Sequence, residues 1–225
     1  MSAKLNWPKL FDEFFKDPEY RKQLGVIGTT NGVRELWLQG ALFYWLNDVK
    51  RIFGEQQEQE NPWYYLEANE TIFKKLDLVC GQYHDGSWIE PLEMVAELKF
   101  LGYSYQTKNI YGCSLNAFPG INDEGPIVIT AEHPLLNSPK KNSLLYDYKC
   151  LIGMPKEVAK KRYLILVYSR YIDEKKPRKT EKQMRRVLDN MVFGNEILSE
   201  DINLVVKRLR TSKNRCFRVK IWEIV

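Results

Sequence analysis

Residues 96–100 read AELKF, which sets Glu97 and Lys99 two apart, on one face of any strand, between residues that belong in a core. Upstream, LDLV holds Asp77 in a second strand-like run. In RELWLQGALFYWL, Glu35 stands three, seven and eleven positions before Leu38, Leu42 and Leu46, so a carboxylate shares the apolar side of a helix. Carboxylate oxygens are the donors that a hard cation such as Mg2+ takes, and an ammonium beside them is suited to meeting an anion. Acids and a base so placed can hold a metal ion and an anionic group together.

Each residue also has a plainer reading. Glu97 and Lys99 can form an ion pair on a solvated strand face, which contributes little to stability. Asp77 can end a strand, and Glu35 can neutralise Arg34 or favour a helix N-terminus. What separates the readings is whether the elements around these residues bring them together.

Those elements follow from periodicity and punctuation. The first 24 residues predict one or two short helices, punctuated by Pro8 and Pro18. The leucine spacing predicts a helix through Glu35, with Gly54 as a stop. GEQQEQEN reads as a loop, and WYYLEA, KLDLVCGQY and EMVAELKFLG read as strands. The last two flank HDGS at 84–87, where Asp85-Gly86 signals a hairpin that makes them antiparallel neighbours. From Gly102 to Asn142 the chain is rich in Gly, Asn, Pro and Ser, with one strand expected at PIVITA. Ser143 is placed to cap a helix through LLYDYKCLIG, and YLILVYS at 163–169 reads as a buried strand. Thr180 and Gln183 form a capping-box pattern ahead of Met184, Leu188 and Met191, and LVVKRLRTSKNRCFRVKIWEIV reads as a hairpin with a basic turn.

Helix with Glu35, strand, strand with Asp77, strand with Glu97-x-Lys99, helix, strand: this order resembles the common core of the PD-(D/E)XK nuclease superfamily. Asp77 in LDLV matches the motif's first acid, and Glu97 and Lys99 in AELK match its second acid and lysine, with 19 residues between the acids. Leu76 stands where the motif's name has Pro. The resemblance implies an α/β fold with a restriction-endonuclease-like core, a mixed central β-sheet flanked by helices. It implies a Mg2+-dependent endonuclease acting on DNA, with Mn2+ as a substitute metal and RNA as an alternative substrate. Asp77 and Glu97, with the Leu98 carbonyl, would hold the metal, and Glu35 would bind a second metal or a water on it. Lys99 would orient or help deprotonate the attacking water and neutralise charge in the transition state. A cut through both strands usually needs two sites, so a homodimer is expected. The rival reading keeps the fold without cutting, as a nucleic-acid-binding or assembly protein. Weaker candidates are His84, read as a turn residue, Cys80, read as a core residue, and Glu67 or Glu70 in place of Glu35.

Composition narrows the class further. At 225 residues with 44% apolar content, the chain is long enough for one core, so a single domain is expected over 1–225. Its nuclease-like core would span about 30–170 and a basic C-terminal extension 171–225. Residues 1–150 carry 15 Lys and Arg against 20 Asp and Glu, whereas 151–225 carry 19 against 9. A basic third beside an acidic body fits a polyanionic partner. Lys175, Lys176, Arg178, Lys179, Lys182, Arg185 and Arg186 form one expected nucleic-acid contact cluster. Lys207, Arg208, Arg210, Lys213, Arg215 and Arg218 form another. Tyr103, Tyr105, Lys108, Asn109, Tyr111 and Asn116 lie in the long segment expected to read bases. Cys80, Cys113, Cys150 and Cys216 show no CxxC pairing and only two histidines accompany them, which argues against a zinc site or a disulfide framework. No apolar run reaches membrane-spanning length, and the acids near the N-terminus are unlike a secretory signal, so a cytoplasmic protein without membrane partners is expected.

Overall fold

A computed structural model describes residues 5–27, 34–46, 63–68, 76–84, 87–101, 125–170, 179–208 and 211–225. Helix α1 (Trp7–Lys16) begins where the Asn6 side chain accepts from the Lys9 N–H, with Pro8 in the first turn, where a missing amide costs nothing. Asp17 closes it, and Pro18 opens α2 (Pro18–Ile27). Helix α3 (Arg34–Leu46) buries Leu38, Leu42 and Leu46, as their spacing predicts.

The strands are β1 (Trp63–Ala68), β2 (Leu76–His84), β3 (Ser87–Leu101), β4 (Ile127–Val128), β5 (Arg162–Arg170), β6 (Met191–Val192), β7 (Asn195–Arg208) and β8 (Thr211–Glu223). Two further helices are α4 (Leu144–Ile152) and α5 (Lys179–Asn190). Among the described residues, six strands form one sheet in the order β1-β2-β3-β5-β8-β7, and β4 pairs with β6 in a second, two-stranded sheet. Only the β3–β5 pair of the large sheet is parallel, so the fold is mixed α/β. His84 stands opposite Ser87, in the hairpin register that Asp85-Gly86 predicts.

Helices cover both faces of this sheet. Tyr163, Ile165 and Val167 of β5 join a cluster with the apolar sides of α1, α2 and α3. The alternate residues Leu164, Leu166 and Tyr168 join one with α4 and α5. A strand covered on both sides has no solvent face to make polar, which is why RYLILVYS is buried throughout. Residues 171–225, expected as a basic extension, supply α5 and three strands, and β8 lies between β5 and β7 inside the same sheet. The capping box at Thr180 differs from expectation: α5 includes Lys179, so Thr180 lies within the helix rather than before it. Among the described residues, no helix is long and apolar enough to cross a membrane.

Candidate active site

The site grows from a difference in strand length. The ladder between β2 and β3 ends at the pair Leu78 and Ala96, while β3 continues to Leu101 alongside β5. Past Ala96, the β2-side edge of β3 therefore carries backbone amides that the ladder does not use. The Leu98 N–H donates to Asp77 Oδ2 at 2.7 Å, and the Phe100 N–H donates to Glu35 Oε2 at 3.3 Å. Because the N–H and C=O of one strand residue leave on the same edge, the Leu98 carbonyl also faces this notch. Two acids thus take up amides of β3 beyond the end of the ladder.

The side chains of Glu97 and Lys99 turn to the α4 face of the sheet, in step with Val95. They are 6% and 8% exposed, which removes the reading of a solvated surface pair. Glu97 and Asp77 form a buried pair of carboxyls. Burial first, and then the negative charge of Asp77, hold the Glu97 carboxyl far above the usual carboxylate range, so Glu97 is the member of the pair that keeps a proton. Burial raises Asp77 as well, against the steadying Leu98 amide. From α3, Gln39 Nε2 donates to Asp77 Oδ1 at 2.5 Å.

Lys99 Nζ lies 3.1 Å from Asp147 Oδ2 on α4 and 3.3 Å from Glu35 Oε1 on α3. Burial alone would lower its pKa, but the charges of Asp147 and Glu35 outweigh that and raise it above the ordinary lysine value. Lys99 is therefore held as an ammonium, a donor and a positive charge. Burial pushes Asp147 up to about 7 in spite of Lys99, so this ion pair is fully charged on the alkaline side of neutrality.

Comparison with family models, with curated proteins and with solved structures returns no match for this chain.

All four residues singled out in the two motifs and the helix, Glu35, Asp77, Glu97 and Lys99, meet at the notch. Two partners absent from the sequence reading meet there too. Gln39 follows Glu35 by one helical turn, and Asp147 lies three after Leu144 and four before Leu151 on the buried side of α4. The argument that singled out Glu35, a polar residue on an apolar helix face, applies equally to both.

For a divalent cation the donor set is all oxygen. Among the described residues, no three His, Cys, Asp or Glu side chains are grouped to hold a metal, and Glu35 and Asp147 each pair with Lys99. Mg2+ asks for less than that: one or two carboxylates, with waters and phosphate oxygens completing its shell. The paired carboxyls of Asp77 and Glu97, one of which must hold a proton when no cation lies between them, fit this requirement.

The expected nucleic-acid contacts divide unevenly. Lys182 is exposed on α5, with Arg185 and Arg186 partly buried beside it. Lys179 opens that helix, and Lys213 and Arg215 lie on β8. Lys175, Lys176, Arg178 and Arg210 lie outside the described residues, as do Tyr103, Tyr105, Lys108, Asn109, Tyr111 and Asn116. Arg218 leaves the expected cluster. Its guanidinium is held by Asp201 at 2.7 and 2.8 Å and by Asp189 at 3.3 Å, with Arg170 bonded to the same two acids. Lys220 is likewise turned inward, donating to the carbonyls of Asp189 and Met191. Part of the positive charge of the C-terminal third therefore ties α5 to the sheet. Cys80 is a buried cysteine outside any disulfide, in keeping with a core residue.

Proposed function

We propose that the chain is a Mg2+-dependent DNA endonuclease built on a restriction-endonuclease-like core. The observation that carries this reading is the convergence of Asp77, Glu97 and Lys99 at an unpaired strand edge, with Glu35 reaching them from the opposite helical layer. The order of elements supports it: antiparallel β1, β2 and β3, then a helix, then β5 parallel to β3.

Asp77 and Glu97 would hold the cation, with the Leu98 carbonyl facing the same notch. When bound, Mg2+ would stabilise charge building on the phosphate and make water a stronger nucleophile. The chain's own contribution begins with Leu98 N–H and Gln39, which fix both oxygens of Asp77. Lys99, held as an ammonium, donates to a phosphate oxygen and offsets the charge that develops there. Glu35 orients Lys99 and closes the β3 edge through the Phe100 amide. DNA is the expected polyanion, with the cations of α5, Lys182 exposed among them, and those of the terminal hairpin as backbone contacts. A homodimer would supply the second site for a double-strand cut.

Incubation of supercoiled duplex DNA with the protein and Mg2+ tests this reading, with a structured RNA as a parallel substrate. Glu97→Ala and Lys99→Ala should each lower cleavage by at least about 100-fold. Cleavage that survives both substitutions removes the assignment. Salt-sensitive binding by the wild type with no cutting in Mg2+ or Mn2+ selects the non-catalytic nucleic-acid-binding role instead.

A further inference from the structure

Helix α4 brings to the notch a group that neither sequence motif contains. Ser143 caps the helix and accepts from the Tyr146 N–H, and the Asp147 N–H donates back to the Ser143 carbonyl. Leu144, Leu145, Tyr148 and Leu151 seat the helix on the sheet, and Asp147 on the same side comes down on β3 over Lys99.

The geometry points to Asp147 as a positioning residue for Lys99, an inference that rests on the nuclease reading of the site. A lysine side chain is a flexible four-carbon stem, and one carboxylate partner leaves it free to swing about that partner. Lys99 has two, from helices on opposite faces of the sheet. An ammonium carries three N–H donors: one goes to Glu35 Oε1 at 3.3 Å, and the charge of Asp147, with Oδ2 3.1 Å from Nζ but without hydrogen-bond alignment, restrains the swing of the other two, which are left for a phosphate oxygen. The anchors differ in quality. The Glu35 side chain is 37% exposed, so water competes for its oxygens, whereas that of Asp147 is 10% exposed. Glu35 accepts the hydrogen bond and Asp147 supplies the less screened charge, so the loss of Asp147 should leave Lys99 charged but poorly aimed.

A purely structural Asp147 would serve only to neutralise a buried charge, and a third reading would make it a metal ligand. Three measurements on the full chain separate these. In steady-state cleavage at mildly alkaline pH, Asp147→Asn should lower kcat by about 100-fold with KM for the duplex little changed. Asp147→Glu keeps the charge but displaces it by one methylene. It should retain the wild-type melting temperature and still lose about tenfold in kcat, as expected for misplacement of a catalytic group. A wild-type kcat in Asp147→Glu, or a loss confined to KM, overturns the inference. Mn2+ titration without substrate should give the same affinity for wild type and Asp147→Asn and none for Asp77→Asn. Weakened Mn2+ binding in Asp147→Asn makes it a ligand and also overturns the inference.

The last readout is independent of cutting. In a proton–nitrogen spectrum of the lysine ammonium groups, the signal removed by Lys99→Met should be sharp in the wild type and broadened by water exchange in Asp147→Asn. An unchanged signal refutes the anchor. If the signal behaves as expected but the wild type cleaves neither DNA nor RNA, the nuclease reading fails while the anchoring of Lys99 stands.

Discussion

Glu97→Gln should stabilise the metal-free protein at neutral pH while abolishing its activity. Folded Glu97 is buried beside the Asp77 carboxylate and keeps its proton, whereas in the unfolded chain the group titrates near its ordinary 4.5. The folded state therefore binds the extra proton. Stability from this group is fully present below pH 4.5 and is lost as pH rises toward the folded value. At about pH 7 the gap above 4.5 is roughly 2.5 pH units, and at about 1.4 kcal/mol each this costs the folded state about 3 kcal/mol. The size of that cost requires only that the folded value lie above neutrality. Glutamine has nearly the shape of the protonated acid, and its amide can donate to Asp77 without the proton uptake. In EDTA at neutral pH, Glu97→Gln should melt roughly 5–10 °C above the wild type for a chain of this size. At about pH 4.5 the two should melt nearly together, because the unfolded wild type is then half protonated and the remaining cost is only about 0.4 kcal/mol. Mg2+ should raise the melting temperature of the wild type, by displacing the proton and binding the folded state, and leave the variant unmoved. A variant that melts at or below the wild type in EDTA at neutral pH refutes the shared-proton account of Asp77 and Glu97. So does a difference of equal size at both pH values.

Three further substitutions probe the scaffold around the site. Ser143→Ala removes the buried cap of α4 and should cost about 1 kcal/mol in urea unfolding, with a drop in cleavage larger than stability alone explains because Asp147 rides on the same turn. Gly194 has φ of 60°, and a Cβ there would meet the Glu223 carbonyl oxygen at 2.5 Å, so Gly194→Ala should lower the urea midpoint by the equivalent of about 1–3 kcal/mol; an unchanged midpoint contradicts that geometry. Arg218→Met leaves Arg170 as the remaining guanidinium on Asp189 and Asp201, with the Tyr168 hydroxyl still on Asp189, and should cost about 1–3 kcal/mol by thermal melting at neutral pH. Partial burial works to raise Asp201, but its hydrogen bonds to Arg218 and the charge of Arg170 prevail and lower it, so the stability this group adds is lost as pH falls through the folded value and the Arg218→Met deficit should shrink in acid.

Much of the scaffold was readable because its signals are local. Pro8 and Pro18 mark helix starts, the 38, 42, 46 leucines mark a buried face, and His84 opposite Ser87 follows from two turn residues. Asp77, Glu97 and Lys99 were legible as a spaced pattern, although their meeting depends on where the β2–β3 ladder stops, which no propensity encodes. Asp147 and Gln39 were missed for a related reason. One polar residue on an apolar helix side has many uses, and only the sheet beneath it reveals which one applies. Charge was misleading in the C-terminal third, where Arg218 and Lys220 count toward a basic tail in sequence but face Asp189, Asp201 and Glu196 across strand and helix.

Lys99 is fastened on one side to α3 and on the other to α4, and these helices belong to different hydrophobic clusters separated by the sheet. A single nitrogen atom thereby acts as a rivet through the molecule. Whatever removes that ammonium, a Lys99→Met substitution above all, loosens both helices in one event, so amide exchange in α3 and α4 should rise together in that variant. The same rivet makes the strength of the scaffold and the readiness of the site two readings of one bond.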